Sequence, residues 1–164
     1  MAHRSALRRV PGSVLAALAF LTLAAPAADA HHAMGGKTPA TFFEGLLSGL
    51  AHPILGPDHL LFLAAAAAII AVLRFDLKIA AAFIVATLAG VALCLAGVDI
   101  PLGEAAVALT IVALGLAAFA PPRTAMHWLA FFAVAGVLHG HAFGESIVGG
   151  GAAVFVGYLI GLAV

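Results

Sequence analysis

His52-Pro53-Ile54-Leu55-Gly56-Pro57-Asp58-His59 interrupts a long apolar stretch, and its reading decides the fold. Two prolines and a glycine between positions 53 and 57 break a helix, because proline lacks an amide proton and clashes with the preceding turn. Before this stretch lies Phe42 to Ala51, apolar but shorter than the roughly 20 residues a bilayer crossing needs. After it, an apolar span runs near residues 58–73. Further candidate spans follow at 78–97, at 103–120 (closed by Pro121-Pro122), at 124–140 and at 147–164. The expected architecture is all-α, a polytopic membrane helix bundle whose first segment is broken and re-entrant.

Composition supports lipid as the solvent. Of 164 residues, 65% are apolar and only 9% are charged, and mean hydropathy is +1.20. A soluble domain carries roughly a quarter charged residues, and a disordered chain is poor in apolar ones. The 18 glycines, with abundant alanine, suit helices that approach closely in a bilayer. Gly45-x-x-x-Gly49 and Gly157-x-x-x-Gly161 are small-xxx-small pairs of the kind that pack helices together, and Gly-rich faces of this kind also suit a homo-oligomer. A formal charge of zero gives no basic patch for nucleic acid. The single cysteine excludes an intrachain disulfide. Eight histidines against seven Lys and Arg is the unusual figure, and the histidines must be accounted for.

Residues 1–30 read as a cleavable signal peptide. Arg4, Arg8 and Arg9 form a positive region, Val14 to Ala25 an apolar core, and Ala28-Asp29-Ala30 a small-x-small cleavage site. Residues 31–164 then form a single transmembrane domain, beginning with His31-His32 on the outer side. Cleavage leaves four basic side chains against six acidic ones. Arg74 and Lys78 lie in one interhelical link and Arg123 in another, while the links at 98–104 and 139–146 carry acids and no Lys or Arg. The positive-inside rule puts the first two links in the cytoplasm. The chain must therefore cross an odd number of times between residues 31 and 74. So the 42–51 segment is expected to be a half-helix dipping in from the outer face. Irregular backbone at membrane depth is tolerated only when buried in protein or lining a cavity, which makes the broken stretch a site candidate.

Ionisable groups in membrane segments are functional candidates by default. They fall in two clusters: His52, Asp58 and His59, and then His139-Gly140-His141-Ala142-Phe143-Gly144-Glu145. Asp58 has two readings, as a ligand or as an anion at a helix N-terminus. Glu44 likewise either faces the cavity or sits in a favourable first turn. On a helix His141 and Glu145 share a face, whereas His139 points the other way. Unwinding at Gly140 and Gly144 would let the imidazoles converge. Imidazole with carboxylate suits Ni, Co, Zn and Cu(II). His31 and His32, beside a free α-amine, are weaker candidates for the same ions. Cys94 and His127 read as packing and interfacial residues.

The motifs His52-Pro53-x-x-Gly56-x-Asp58-His59 and His139-Gly140-His141-Ala142-x-Gly144-Glu145, placed after a signal peptide with histidines just past it, resemble those of the HupE/UreJ family. The resemblance covers the chain in order. It implies a bacterial inner-membrane protein for nickel or cobalt uptake, with His52, Asp58, His59, His139, His141 and Glu145 as metal-site residues. Two departures stand out. Phe143 occupies a position where many relatives carry a third His, and the chain ends at Val164 where relatives usually continue. The expected function is a permease for Ni²⁺ or Co²⁺, with the ion as cargo and no prosthetic group. Neutral imidazole is the ligand form, so uptake is expected to fail below about pH 6.5. Two rivals are a metal-binding accessory or sensor that conducts nothing, and an intramembrane metal-dependent hydrolase with Glu145 as base. The second lacks an evident substrate groove or oxyanion donors, so no enzyme is expected.

Overall fold

The computed structural model describes residues 37–119 and 124–164. The expected signal peptide, His31, His32 and Arg123 lie outside the described residues. Within them the chain is helical, with no strand. Six helices follow in order: α1 (Phe42–Leu55), α2 (Pro57–Leu73), α3 (Lys78–Leu95), α4 (Gly103–Phe119), α5 (Ala125–Glu145) and α6 (Ala152–Ala163).

A capping box starts α1. The Thr41 hydroxyl accepts the Glu44 N–H, and the Glu44 carboxylate accepts the Ala40 and Thr41 N–H groups at 2.7 and 3.2 Å. The helix continues past the expected end at residue 51, through His52 and Pro53 to Leu55. Its last turn still closes, because the Gly56 N–H reaches the His52 carbonyl at 3.1 Å. The break is thereby confined to Gly56, which is extended and ends α1 while starting α2. Pro57 then takes the first helical position, where its missing N–H costs nothing. The two helices are bent by 73°.

By length and composition α3 and α5 can each cross a membrane, and the bent α1–α2 pair makes a third span if counted as one. Helix α4 (17 residues) begins at the expected Gly103 and runs to the last described residue before 120, whereas α6, with 12 residues, is shorter than the span expected at 147–164. For α6 the reason is local. Residues 146–149 form turns that include Gly149 in the left-handed region (φ 87°), residues 150–151 are irregular, and helix restarts only at Ala152. Among the described residues these apolar helices are those of a membrane protein.

Glycine sets how the helices meet. Helices α1 and α6 lie against each other with their glycines interlocked. A Cβ on Gly45 would strike the Val154 carbonyl, and one on Gly49 the Tyr158 carbonyl. From the other side Gly157 and Gly161 face the Phe42 and Leu46 carbonyls. The rising numbers on both helices show that they run in the same direction. Helices α3 and α5 pack in the same way, with Gly90 on the Val137 carbonyl and Gly140 on the Thr87 carbonyl. Such approach is open only to residues without side chains, and it replaces the hydrophobic drive that lipid cannot provide. Below the helix break, Phe62 stacks on Phe83 and Phe132 stacks on Trp128. These rings, with Leu114, Ile69 and Ile79, form the main apolar core.

Candidate functional site

The bend between α1 and α2 brings two imidazoles together. His52 lies in the last turn of α1 and His59 in the first turn of α2, and their ring centroids are 5.7 Å apart. A third imidazole arrives from α5: His139 places its Nδ1 3.0 Å from Nδ1 of His59. These three side chains are at most 2% exposed. Asp58, beside His59 on the first turn of α2, lies close enough for its charge to act on His139.

Hydrogen bonds fix the ring tautomers. The Thr110 hydroxyl donates to the Val107 carbonyl at 2.6 Å, so it accepts the Nε2–H of His139 at 2.9 Å. The Nδ1 of His139 therefore accepts from the Nδ1–H of His59. On the other side, the Tyr158 hydroxyl donates to the Phe143 carbonyl at 2.8 Å and accepts from the Nδ1–H of His52 at 3.2 Å. Ser146 donates to the same carbonyl at 2.8 Å. In their neutral forms His52 and His59 then carry the ring lone pair on Nε2, the form in which imidazole binds a metal. The Phe143 ring lies against His59 and His52, with centroids at 4.4 and 5.0 Å, and Phe62 lies 4.3 Å from His139. The surroundings are thus apolar, and every bond in this network is worth more than it would be in water.

The second motif does not join the first as a unit. Helix α5 is unbroken through Gly140 and Gly144 to Glu145, so the expected unwinding does not occur. Both glycines are used instead for contact with α3: Gly140 against Thr87, and Gly144 against Cys94. Regular helix sends residues two apart to nearly opposite sides. His139 therefore enters the imidazole cluster. His141 turns instead to the link after α3, donating Nε2–H to the Val98 carbonyl at 2.7 Å. Its Nδ1 lies 3.6 Å from Oε1 of Glu145. Glu44 serves the capping box described above, which is the first-turn reading. His127 bonds Thr124 on the exposed start of α5, and Cys94 is buried in packing. Among the described residues, no three His, Cys, Asp or Glu side chains stand as a ready metal-holding group.

Two residues of the cluster escaped the sequence reading. Thr110 is a lone hydroxyl in an apolar run, and Tyr158 is the only tyrosine in the chain. A polar atom at a position otherwise reserved for lipid-compatible side chains was the available signal. Phe143 drew notice only as a departure from a motif, whereas the structure sets its ring between two histidines.

Comparison with known proteins agrees with this picture. The family described as HupE / UreJ protein matches residues 18–164, nearly the whole chain, and the chain belongs to it. No curated protein and no solved structure matches.

Proposed function

We propose that this HupE/UreJ chain is a permease for a divalent transition-metal ion, Ni²⁺ or Co²⁺, in the bacterial inner membrane. The carrying observation is the set of three buried imidazoles, contributed by three helices at the one point where the bent pair opens. Family membership supports metal transport in general, and the donor chemistry narrows the ion. Imidazole with carboxylate suits Ni²⁺ and Co²⁺, whereas Mg²⁺ and Ca²⁺ call for oxygen alone. His52 and His59, with Asp58, would receive the ion, and His139 would yield its bond to His59 as the ion enters.

A cluster held together by its own hydrogen bonds suits transport better than a closed cage. A preformed tetrahedral set of ligands retains a structural ion. Here binding must displace the His59–His139 bond, which weakens retention and favours release. The positive links at 74–78 and 121–124 support an inward-facing cytoplasmic side for those ends of the bundle, and an outer side for the mature N-terminus after cleavage near residue 30.

The test is flux of ⁶³Ni²⁺ or ⁵⁷Co²⁺ into liposomes carrying the purified protein. The permease reading expects saturable flux that His59→Ala abolishes. Binding without flux would assign the chain instead to metal storage, sensing or delivery. Flux undiminished in His59→Ala would refute the site.

A further inference from the structure

The imidazole cluster is divided between two parts of the molecule. His52, and the Tyr158 that holds it, belong to the α1–α6 pair, whereas His59, His139 and Thr110 belong to the bundle of α2 to α5. Each part is stiff for the same reason. Gly45 and Gly49 lie on the Val154 and Tyr158 carbonyls, and Gly157 and Gly161 on those of Phe42 and Leu46, so α1 and α6 cannot slide without a backbone clash. In the bundle, Gly90, Gly136 and Gly140 lock α3 to α5 in the same way. The joint between the parts is made of side chains. Val154 and Tyr158 meet Val91, Phe143 and Ile147 in a small apolar cluster, and the Tyr158 hydroxyl donates to the Phe143 carbonyl at 2.8 Å. Such contacts can part and re-form, because lipid tails are as apolar as the partners that are lost.

The chain passes between the parts at two glycine positions. Gly56 is a single extended residue between α1 and α2. Gly149, Gly150 and Gly151 precede α6; Gly149 has φ 87°, and a Cβ on Gly149 or Gly151 would meet nothing within 4 Å. Glycine backbone in open space turns through the widest range of angles, and a few such residues suffice for a hinge. The bundle residues that meet the pair include His59, Val91 and Phe143, in the first turn of α2 and near the ends of α3 and α5, so the pair covers one end of the bundle. Beneath it His52, His59 and His139 are at most 2% exposed, which closes them to an ion from solvent.

We infer that the α1–α6 pair is a rigid lid, swinging on Gly56 and Gly149–Gly151, whose opening admits the ion to the buried imidazoles and whose closing brings His52 onto it. The ion rests on the permease reading above; the motion does not. Because the lid carries one imidazole and the bundle two, opening divides the ligand set, and release accompanies lid movement.

The experiment is double electron–electron resonance on the full chain in nanodiscs, with spin-labelled cysteines in a Cys94→Ala background. Leu47→Cys with Leu109→Cys spans lid and bundle. Leu47→Cys with Val156→Cys lies within the lid, and Val85→Cys with Leu109→Cys within the bundle; all four positions are exposed. The probe is Zn²⁺, which is diamagnetic and takes the same donors. Zn²⁺ should shift the lid–bundle distance by about 5 Å or more and leave the distance within each part unchanged. Gly151→Pro holds φ close to the observed −85°. It should keep the helix content seen by circular dichroism and lower Co²⁺ flux into liposomes roughly threefold or more. A lid–bundle distance that ignores Zn²⁺, or a shift of the same size within the lid, would overturn the inference. So would undiminished flux in a folded Gly151→Pro. Absence of flux in the native protein would instead overturn the permease reading, and the resonance distances would still decide the lid.

Discussion

His59 and His139 are separated by 80 positions in the chain, yet their Nδ1 atoms lie 3.0 Å apart in a buried setting. One ring donates and the other accepts, so the pair shares a single proton between its facing nitrogens. Removing either ring leaves the other nitrogen without its bond. His59→Ala and His139→Ala should therefore each lower metal flux at least tenfold and destabilise the protein by about 1–3 kcal/mol. Thermal unfolding in detergent, measured beside liposome flux, checks both outcomes.

Tyr158 holds His52 from the far side of the cluster. In Tyr158→Phe the shape is kept while the hydroxyl is lost, so the His52 Nδ1–H loses its acceptor. The expected cost is about 1–2 kcal/mol, together with a several-fold weaker apparent affinity in flux. A variant with unaltered stability and affinity would show that Tyr158 does not position His52.

Gly49 touches the Tyr158 carbonyl, which as backbone cannot step aside. Gly49→Ala should separate α1 from α6 and destabilise the protein by about 1–3 kcal/mol, the range for overpacking. Gly115 has nothing within 4 Å of its would-be Cβ. Gly115→Ala should be neutral or stabilising by up to about 1 kcal/mol, since alanine has the higher helix propensity. Melting temperatures of the two variants, compared side by side, test whether close packing or helix propensity dominates.

Glu44 caps α1 and takes no part in the imidazole cluster. Glu44→Ala should cost about 1 kcal/mol through the lost cap and leave the flux rate of the folded protein intact. A collapse of flux with normal unfolding behaviour would restore Glu44 to the ion path.

Asp76, in the link between α2 and α3, accepts the backbone N–H of Lys78 at 2.9 Å. That bond holds its carboxyl below the usual value of 3.8. Its folded value is depressed, so its contribution is present above the unfolded value and is lost as pH falls through the folded one. Carbon-detected NMR titration should show Asp76 ionising below a reference aspartate, and Asp76→Asn should remove that titration.

Much of the outline was legible in the chain. Low charge and long apolar runs identified lipid as the solvent, because fourteen charged side chains cannot cover a soluble surface. Gly56-Pro57 located the helix break, because the constraints of these residues act within one turn and need no distant partner, whereas Pro53 is carried inside α1. The small-xxx-small pairs announced close packing, and α1 and α6 do meet through them. What the chain could not state was how the second motif divides. Gly140 and Gly144 can either loosen a helix or admit a neighbour, and only the presence of α3 decides between the two. With α3 against them α5 stays regular, and regular helix sends His139 into the imidazole cluster and His141, also buried, toward the link after α3. Thr110 and Tyr158 became part of the site for the same reason. Their neighbours are set by which helices pack together, a global outcome that no local sequence window contains.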